Sequence, residues 1–383
     1  MCGLRTSGCY CNKFITRYAG VELNATIGPK NRHQSTIFAR RSGSYCVEMN
    51  KPQRNLRFSA LASVAMLVAI QCFGPIAQAE SEPRKLDPEL PELSVSVLQF
   101  GTAHWELDHI VHRQLDRKHG YRLGLRVVAN LSASHLAVVS GSANAAVADL
   151  LWAQSRYQAG SPYLYLPFSS QIGDIVVSES SGVRNLAGLQ GLRIGVAGGP
   201  DSKGWVLLQK VASQQGIDLA GSTDVQFAAP PLLSQGLKRG QMDAIVTYWH
   251  FAARLKGEGG WRSAFAMTDL LVAMNLDPSL PVLGYVFPKK WANEHKELID
   301  RFAGSVVEAK AELAAQASDW ERLRPLLQNP ETGVFDALRD GFIAGNPKPL
   351  TDDRVANLRE LLILTGADAG SLMPARLFYR PQP

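Results

Sequence analysis

The residues best placed to do chemistry stand in short groups, each directly after an apolar run. Gly198-Gly199-Pro200-Asp201-Ser202 follows the run LRIGV. Paired glycines let a backbone approach a ligand closely. Pro200 with Asp201 or Ser202 suits a helix start. The free N–H groups of such a start can hold a carboxylate, a sulfonate or another oxygen-rich group. The same residues also make an ordinary strand-to-helix turn, and the spacing alone does not separate the two readings. The Gly-Lys-Ser/Thr ending of a nucleotide-binding loop is missing.

The other groups share this character. His104 and Trp105 come after the first run, and Asp149 and Trp152 after the run Ala145–Ala148. Ser169 and Ser170 follow Tyr163–Pro167, and Tyr248-Trp249-His250-Phe251 follows Ala244–Thr247. In an open α/β sheet, ligands bind beyond the C-terminal strand ends. Aromatic walls with a few placed polar groups suit a small molecule. Four aromatic rings in a row cannot all face one core, so at least one is expected at a cleft. His250 reads either as a packed histidine or as a hydrogen-bonding, pH-sensitive one.

Enzyme and metal chemistries find little support. His104, Asp108 and His112 share one helix face, yet the outer pair would lie about 12 Å apart along the axis. That is too far to meet one ion. G-x-S-x-G and H-E-x-x-H are absent from the sequence. No acid–base pair is assignable, and neither a cofactor nor a metal is expected.

The elements that must position these groups alternate. Runs such as LSVSVLQF (93–100) alternate like strands, and between them helical periods recur, as in 104–118, 150–158 and 203–214. This βα rhythm predicts largely parallel sheets flanked by helices. Two such series joined by extended crossings predict two doubly wound lobes with a hinge and a cleft between them. The expected division is 93–173 plus 273–383 for the first lobe and 174–272 for the second. Residues 80–92, rich in Glu and Pro, read as a flexible lead-in.

The 383-residue chain carries a formal charge of +6, which would suggest nucleic acid or anionic lipid. The charge is not evenly spread. Residues 1–79 hold ten of the 40 basic residues and two of the 34 acidic ones, leaving 30 against 32 for the remainder. No nucleic-acid partner is therefore expected. Lys51, Arg54 and Arg57 precede the short apolar stretch Phe58–Ile70, and Ala77-Gln78-Ala79 offers a cleavage site, so 49–79 reads as a secretory signal peptide. The stretch is short of the roughly 20 residues a membrane span needs. Residues 1–48 read as an over-called start before Met49. Cys72 is poorly framed for lipidation, with Gln71 before it and Ala69 where Leu is usual. All five cysteines lie in this leader, so thiolate catalysis and cysteine-held metals are excluded downstream.

Three segments carry a family resemblance: ADLLWAQ (148–154), NLAGLQGLRIGVAGGPDSKGW (185–205) and APPLLSQGLKRGQMDAIVTYWHFAARL (229–255). Leu189–Val196 fits the pattern D-L-x-G-x-x-I-G-V, with Gly188 in the place of Asp. Leu237–Ala244 fits L-x-x-G-x-x-D-A in full. In order and spacing, the stretch 93–346 resembles the nitrate/sulfonate/taurine-type solute-binding proteins of ABC importers, a superfamily that includes binders of thiamine-pyrimidine precursors. The resemblance implies a type II periplasmic-binding fold, a monomeric periplasmic protein, an inner-membrane permease as partner, and no enzymatic activity. It also implies ligand loops at His104, Trp105, Asp149, Trp152, Ser169, Ser170, Gly199, Asp201, Ser202, Tyr248, Trp249 and His250. One departure concerns charge. These loops hold a single basic residue, Lys203, which is expected to turn onto its helix, while Asp149 would face the cleft. That combination favours a neutral or cationic organic solute over a simple oxyanion. An enzyme, or a sensor or carrier module, on the same fold is the alternative.

Overall fold

The computed structural model describes residues 90–380. The leader readings for 1–48 and 49–79, the lead-in to residue 89 and the last three residues lie outside that range.

The first series runs β1 (Glu92–Leu98), α1 (Thr102–His112), α2 (Leu115–Lys118), β2 (Arg122–Val128), α3 (Leu131–Val139), β3 (Ala145–Asp149), α4 (Leu150–Gln158) and β4 (Tyr163–Ser169). The second runs β5 (Asp174–Ser178), β6 (Arg193–Ala197), α5 (Lys203–Gln214), β7 (Asp224–Ala228), α6 (Pro230–Lys238), β8 (Ala244–Thr247), α7 (Trp249–Glu258), β9 (Trp261–Ser263) and α8 (Met267–Ala273). The chain then returns through β10 (Leu283–Pro288), α9 (Lys289–Glu294), α10 (Lys296–Ala315), α11 (Ala317–Leu323), α12 (Thr332–Ala344) and α13 (Asp352–Leu364). Among these helices none is long and apolar enough to cross a membrane.

The strands form two five-stranded sheets, ordered β2-β1-β3-β10-β4 and β7-β6-β8-β5-β9. Each is the base of one lobe. The two orders are the same once each lobe's own strands are counted from its first parallel strand. In both sheets a single strand runs against the rest. It is β10 in the first and β5 in the second. Both are strands that have just arrived from the other lobe. The duplicated topology leaves no fixed-period repeat in the sequence, because equivalent strands need only equivalent burial, not equal residues.

Local chemistry explains the element ends. Asp149 ends β3 and caps α4, its Oδ1 accepting from Trp152 N at 2.8 Å. Thr351 caps α13 and Asn130 caps α3 by the same device. The single helix expected over 104–118 is two helices. Gln114 sits at φ +57 and breaks it, and the buried Asp116 then turns to accept from Leu123 N at 2.9 Å. Helical periodicity does not reveal such a break.

The first lobe's core buries a charged pair. Glu106 is fully buried, and its carboxylate meets Lys310 Nζ and Tyr285 Oη at 2.5 Å each. Lys310 also lies 4.7 Å from the ring centres of Phe168 and Phe342. Burial pushes the Glu106 pKa up, with Lys310 opposing it. The pair fastens α1 to α10 through β10; breaking it would leave an uncompensated buried charge.

Candidate functional site

A cavity of about 700 Å³ is lined from both lobes. The first lobe supplies His135 with Leu131 and Ser132 from α3, and Asp149 and Trp152 from the β3–α4 junction. The second supplies Gly198, Gly199 and Asp201 to Gly204 from the β6–α5 turn, and Thr247 and Tyr248 from the end of β8. Leu362 and Thr365 to Ala367 close it from the end of α13. These are C-terminal strand ends facing one another, where open α/β sheets place ligands.

On the first-lobe wall, the cap at Asp149 orients the first turn of α4 and so fixes Trp152. Trp152 stacks on His135, with ring centroids 4.4 Å apart and planes 28° apart, and tilts against Tyr163 at 5.1 Å. Burial pulls the His135 pKa down, opposed by the Asp149 carboxylate and a hydrogen bond to the Val147 backbone. His135 Nε2 is buried without a partner.

On the second-lobe wall, Gly198 has φ +90, a conformation that favours glycine, and its N–H bonds Ala228 O at 3.2 Å. A Cβ there would sit 3.5 Å from Tyr248 Oη, so the tyrosine hydroxyl stands close over the turn. Ser202 stands at the cap of α5 without a side-chain cap bond. The first N–H groups of that helix have no partner within the helix, and its positive end points at the cavity. Lys203 lies in the lining beside them. The protein around its ammonium lowers its pKa by desolvation, and the Asp149 field opposes this from the other lobe. Burial raises the Tyr248 pKa, with Asp149 and Asp201 adding to it.

Of the residues expected from sequence, the cavity brings together Asp149, Trp152, Gly199, Asp201, Ser202 and Tyr248. Six others lie outside its lining. His104 turns back so that its Nδ1 meets Gln99 O at 2.9 Å. Trp105 is 1 % exposed, packed edge-on to Trp249 and Trp320 and against Phe342. Ser169 is buried, its Oγ accepting from Gln171 N. Ser170 donates its N–H and its hydroxyl to Gly345 O. Trp249 is 8 % exposed in the first lobe's core. His250 keeps some surface but is packed round closely, and burial pushes its pKa down to about 3, helped by Arg254 and Lys203. The physical reason is common to them. A residue after a strand end can point into the cleft or back under the next helix, and each step along a helix turns it by about a quarter circle.

Lys203 reverses one expectation, since it lines the cavity instead of lying on the helix surface. His135 and Thr365 to Ala367 were not indicated by sequence. His135 stands on α3, the helix that follows the end of β2, whereas the end of α13 follows no strand. His104, Asp108 and His112 form no metal cluster. Instead His109 meets Glu312 at 2.8 Å and Asp319 at 4.0 Å, the one such three-residue group among the described residues. Arg113 also bonds Glu312, at 3.2 Å, so the group reads as an ion-pair network. Partners some 200 positions apart leave no spacing signal.

Residues 127–317 match the family described as NMT1/THI5 like. No curated protein matches the sequence. Among solved structures, the periplasmic aliphatic sulphonate binding protein of Escherichia coli is similar at 16% identity and TM-score 0.60, over 72% of this chain and 91% of that one. The alkanesulfonate-binding protein of Xanthomonas axonopodis pv. citri, bound to MOPS, is similar at 17% identity and TM-score 0.58, over 77% and 100%. A ligand-binding component of an ABC-type import system from Staphylococcus aureus is similar at 13% identity and TM-score 0.57, over 76% and 97%. These likenesses establish the fold, a type II periplasmic-binding architecture of two α/β lobes.

Proposed function

From the NMT1/THI5-like match and the two-walled cavity, we propose that this chain is the solute-binding component of an ABC-type importer. In this reading it is exported to the periplasm, captures a small organic solute between lobes 93–173 plus 273–383 and 174–272, and delivers it to an inner-membrane permease. It acts as a monomer and not as an enzyme. The solved structures similar to it include a sulphonate binder, an alkanesulfonate binder and a component of an import system, which supports the role without fixing the solute.

One observation carries the reading. Asp149 of the first lobe and Lys203 of the second line the same cavity, near enough for the Asp149 carboxylate to act on the Lys203 ammonium. A solute held between them bridges the lobes, which is what capture by closure requires. Trp152 and Tyr248 supply apolar faces, and the N–H groups at the start of α5 supply donors. With His135 neutral, Asp149 and Asp201 against Lys203 leave the lining one negative charge in excess, which the positive end of α5 partly offsets. The solute class is therefore a neutral or zwitterionic organic molecule and not a bare oxyanion. Calorimetry tests this directly. Nitrate should give no saturable heat, and saturable nitrate binding would refute the charge assignment.

A further inference from the structure

We infer that the seam between α7 and α12 sets the angle between the two lobes, with Trp249 as its fixed point and the residue that positions Tyr248 in the cavity.

Helix α7 starts directly after β8, the central strand of the second sheet, yet it belongs to both lobes. Trp249 and Ala253 lie in the first lobe's core, while Ala252 and Leu255 lie in a second-lobe cluster with Val176, Leu233 and Ile245. On the first-lobe side its neighbour is α12, and the two backbones touch. A Cβ on Gly257 would lie 2.6 Å from Gly333 O, and one on Gly333 would lie 2.6 Å from Gly257 O. Further along, a Cβ on Gly341 would lie 2.7 Å from the Trp249 ring. Arg254 Nη2 adds a bond to Leu327 O at 2.9 Å.

Two physical consequences follow. Interdigitated side chains resist sliding, because packed cores do not deform continuously. A glycine-on-glycine contact has none, so the helices can shear past each other there. At the other end the Trp249 indole is wedged between Trp105 and Gly341 and cannot slide. Motion of the second sheet against the first therefore turns about Trp249. Tyr248, one residue before that point and 37 % exposed, therefore stays near its place in the cavity as the lobes move.

The inference needs no solute, so its test stands apart from the transport reading. Double electron–electron resonance is measured on the full chain with its five cysteines replaced by serine. One label pair, at Leu136→Cys and Leu232→Cys, spans the lobes; a second, at Leu136→Cys and Val307→Cys, stays in the first lobe. All three positions are exposed, at 65%, 65% and 67%. Gly333→Ala should shift the cross-lobe distance by about 2 Å or more and leave the within-lobe distance unchanged. Should that variant fail to fold, Trp249→Phe, which shortens the wedge without adding bulk, carries the same expectation. An unchanged cross-lobe distance in the folded variant overturns the inference.

Discussion

His135 and Trp152 stack ring on ring at the first-lobe wall of the cavity, centroids 4.4 Å apart. The stack joins α3 to α4, two helices that follow different strands. It holds the indole against rotation, so a solute meets a pre-oriented face and the cost of ordering that side chain is already met.

Removing the stack should weaken capture without removing the site. Aromatic pairs of this kind contribute about 1 kcal/mol beyond their burial. His135→Ala should lower affinity for the co-purified solute roughly fivefold, while His135→Phe, which keeps the stack, should hold affinity near the parent value. Calorimetric titration of the two variants checks this. Equal losses in both would show that the imidazole itself contacts the solute.

Asp149 has two duties, and two substitutions separate them. Its carboxylate caps α4 through Trp152 N. Asp149→Ala should cost about 1 kcal/mol of stability, whereas asparagine, also a good cap, should restore most of it. Both variants remove the charge that opposes the lowered Lys203 pKa. Denaturant melts should therefore part the two, and solute selectivity should change alike in both.

The histidine on α7 makes a pH prediction. Burial holds the His250 pKa down at about 3, against 6.5 for the free side chain. Between those values the unfolded chain takes a proton that the folded one refuses. Stability from this group is complete above pH 6.5 and is lost as pH falls toward 3, with a slope of up to about 1.4 kcal/mol per pH unit. Unfolding free energies of His250→Gln should fall less steeply with acidification than those of the parent. Parallel curves would contradict the assignment.

Trp105 stands at a strand end but serves the core. Trp105→Ala should destabilise by about 3–5 kcal/mol, as large aromatic deletions do. Trp105→Phe should fold, and its solute affinity should match the parent's in calorimetry. A loss of affinity in that folded variant would return Trp105 to the site.

Much of this architecture is readable from the chain itself. The strong cap at Asp149 and the Gly198–Ser202 turn mark the starts of α4 and α5, and both helices run to the ends that their periods suggest. Strand ends then lead to Asp149, Trp152 and Tyr248. What sequence cannot show is the side of the backbone on which a ring falls. Tyr248 and Trp249 are neighbours of like type, and one lines the cavity while the other is buried in the opposite lobe's core. Lys203 and His135 are hidden for a related reason. Each sits on a helix whose rotation is set by packing, and only the folded chain turns them toward the cavity. The end of α13 arrives from a distance that no local pattern encodes.

Native mass spectrometry of the purified protein tests capture between the lobes most directly. The parent should carry one small organic adduct per chain, strongly depleted in Trp152→Ala and in Lys203→Ala when both keep the parent's melting temperature. An adduct retained at parental occupancy in both variants would place the solute elsewhere and contradict the account.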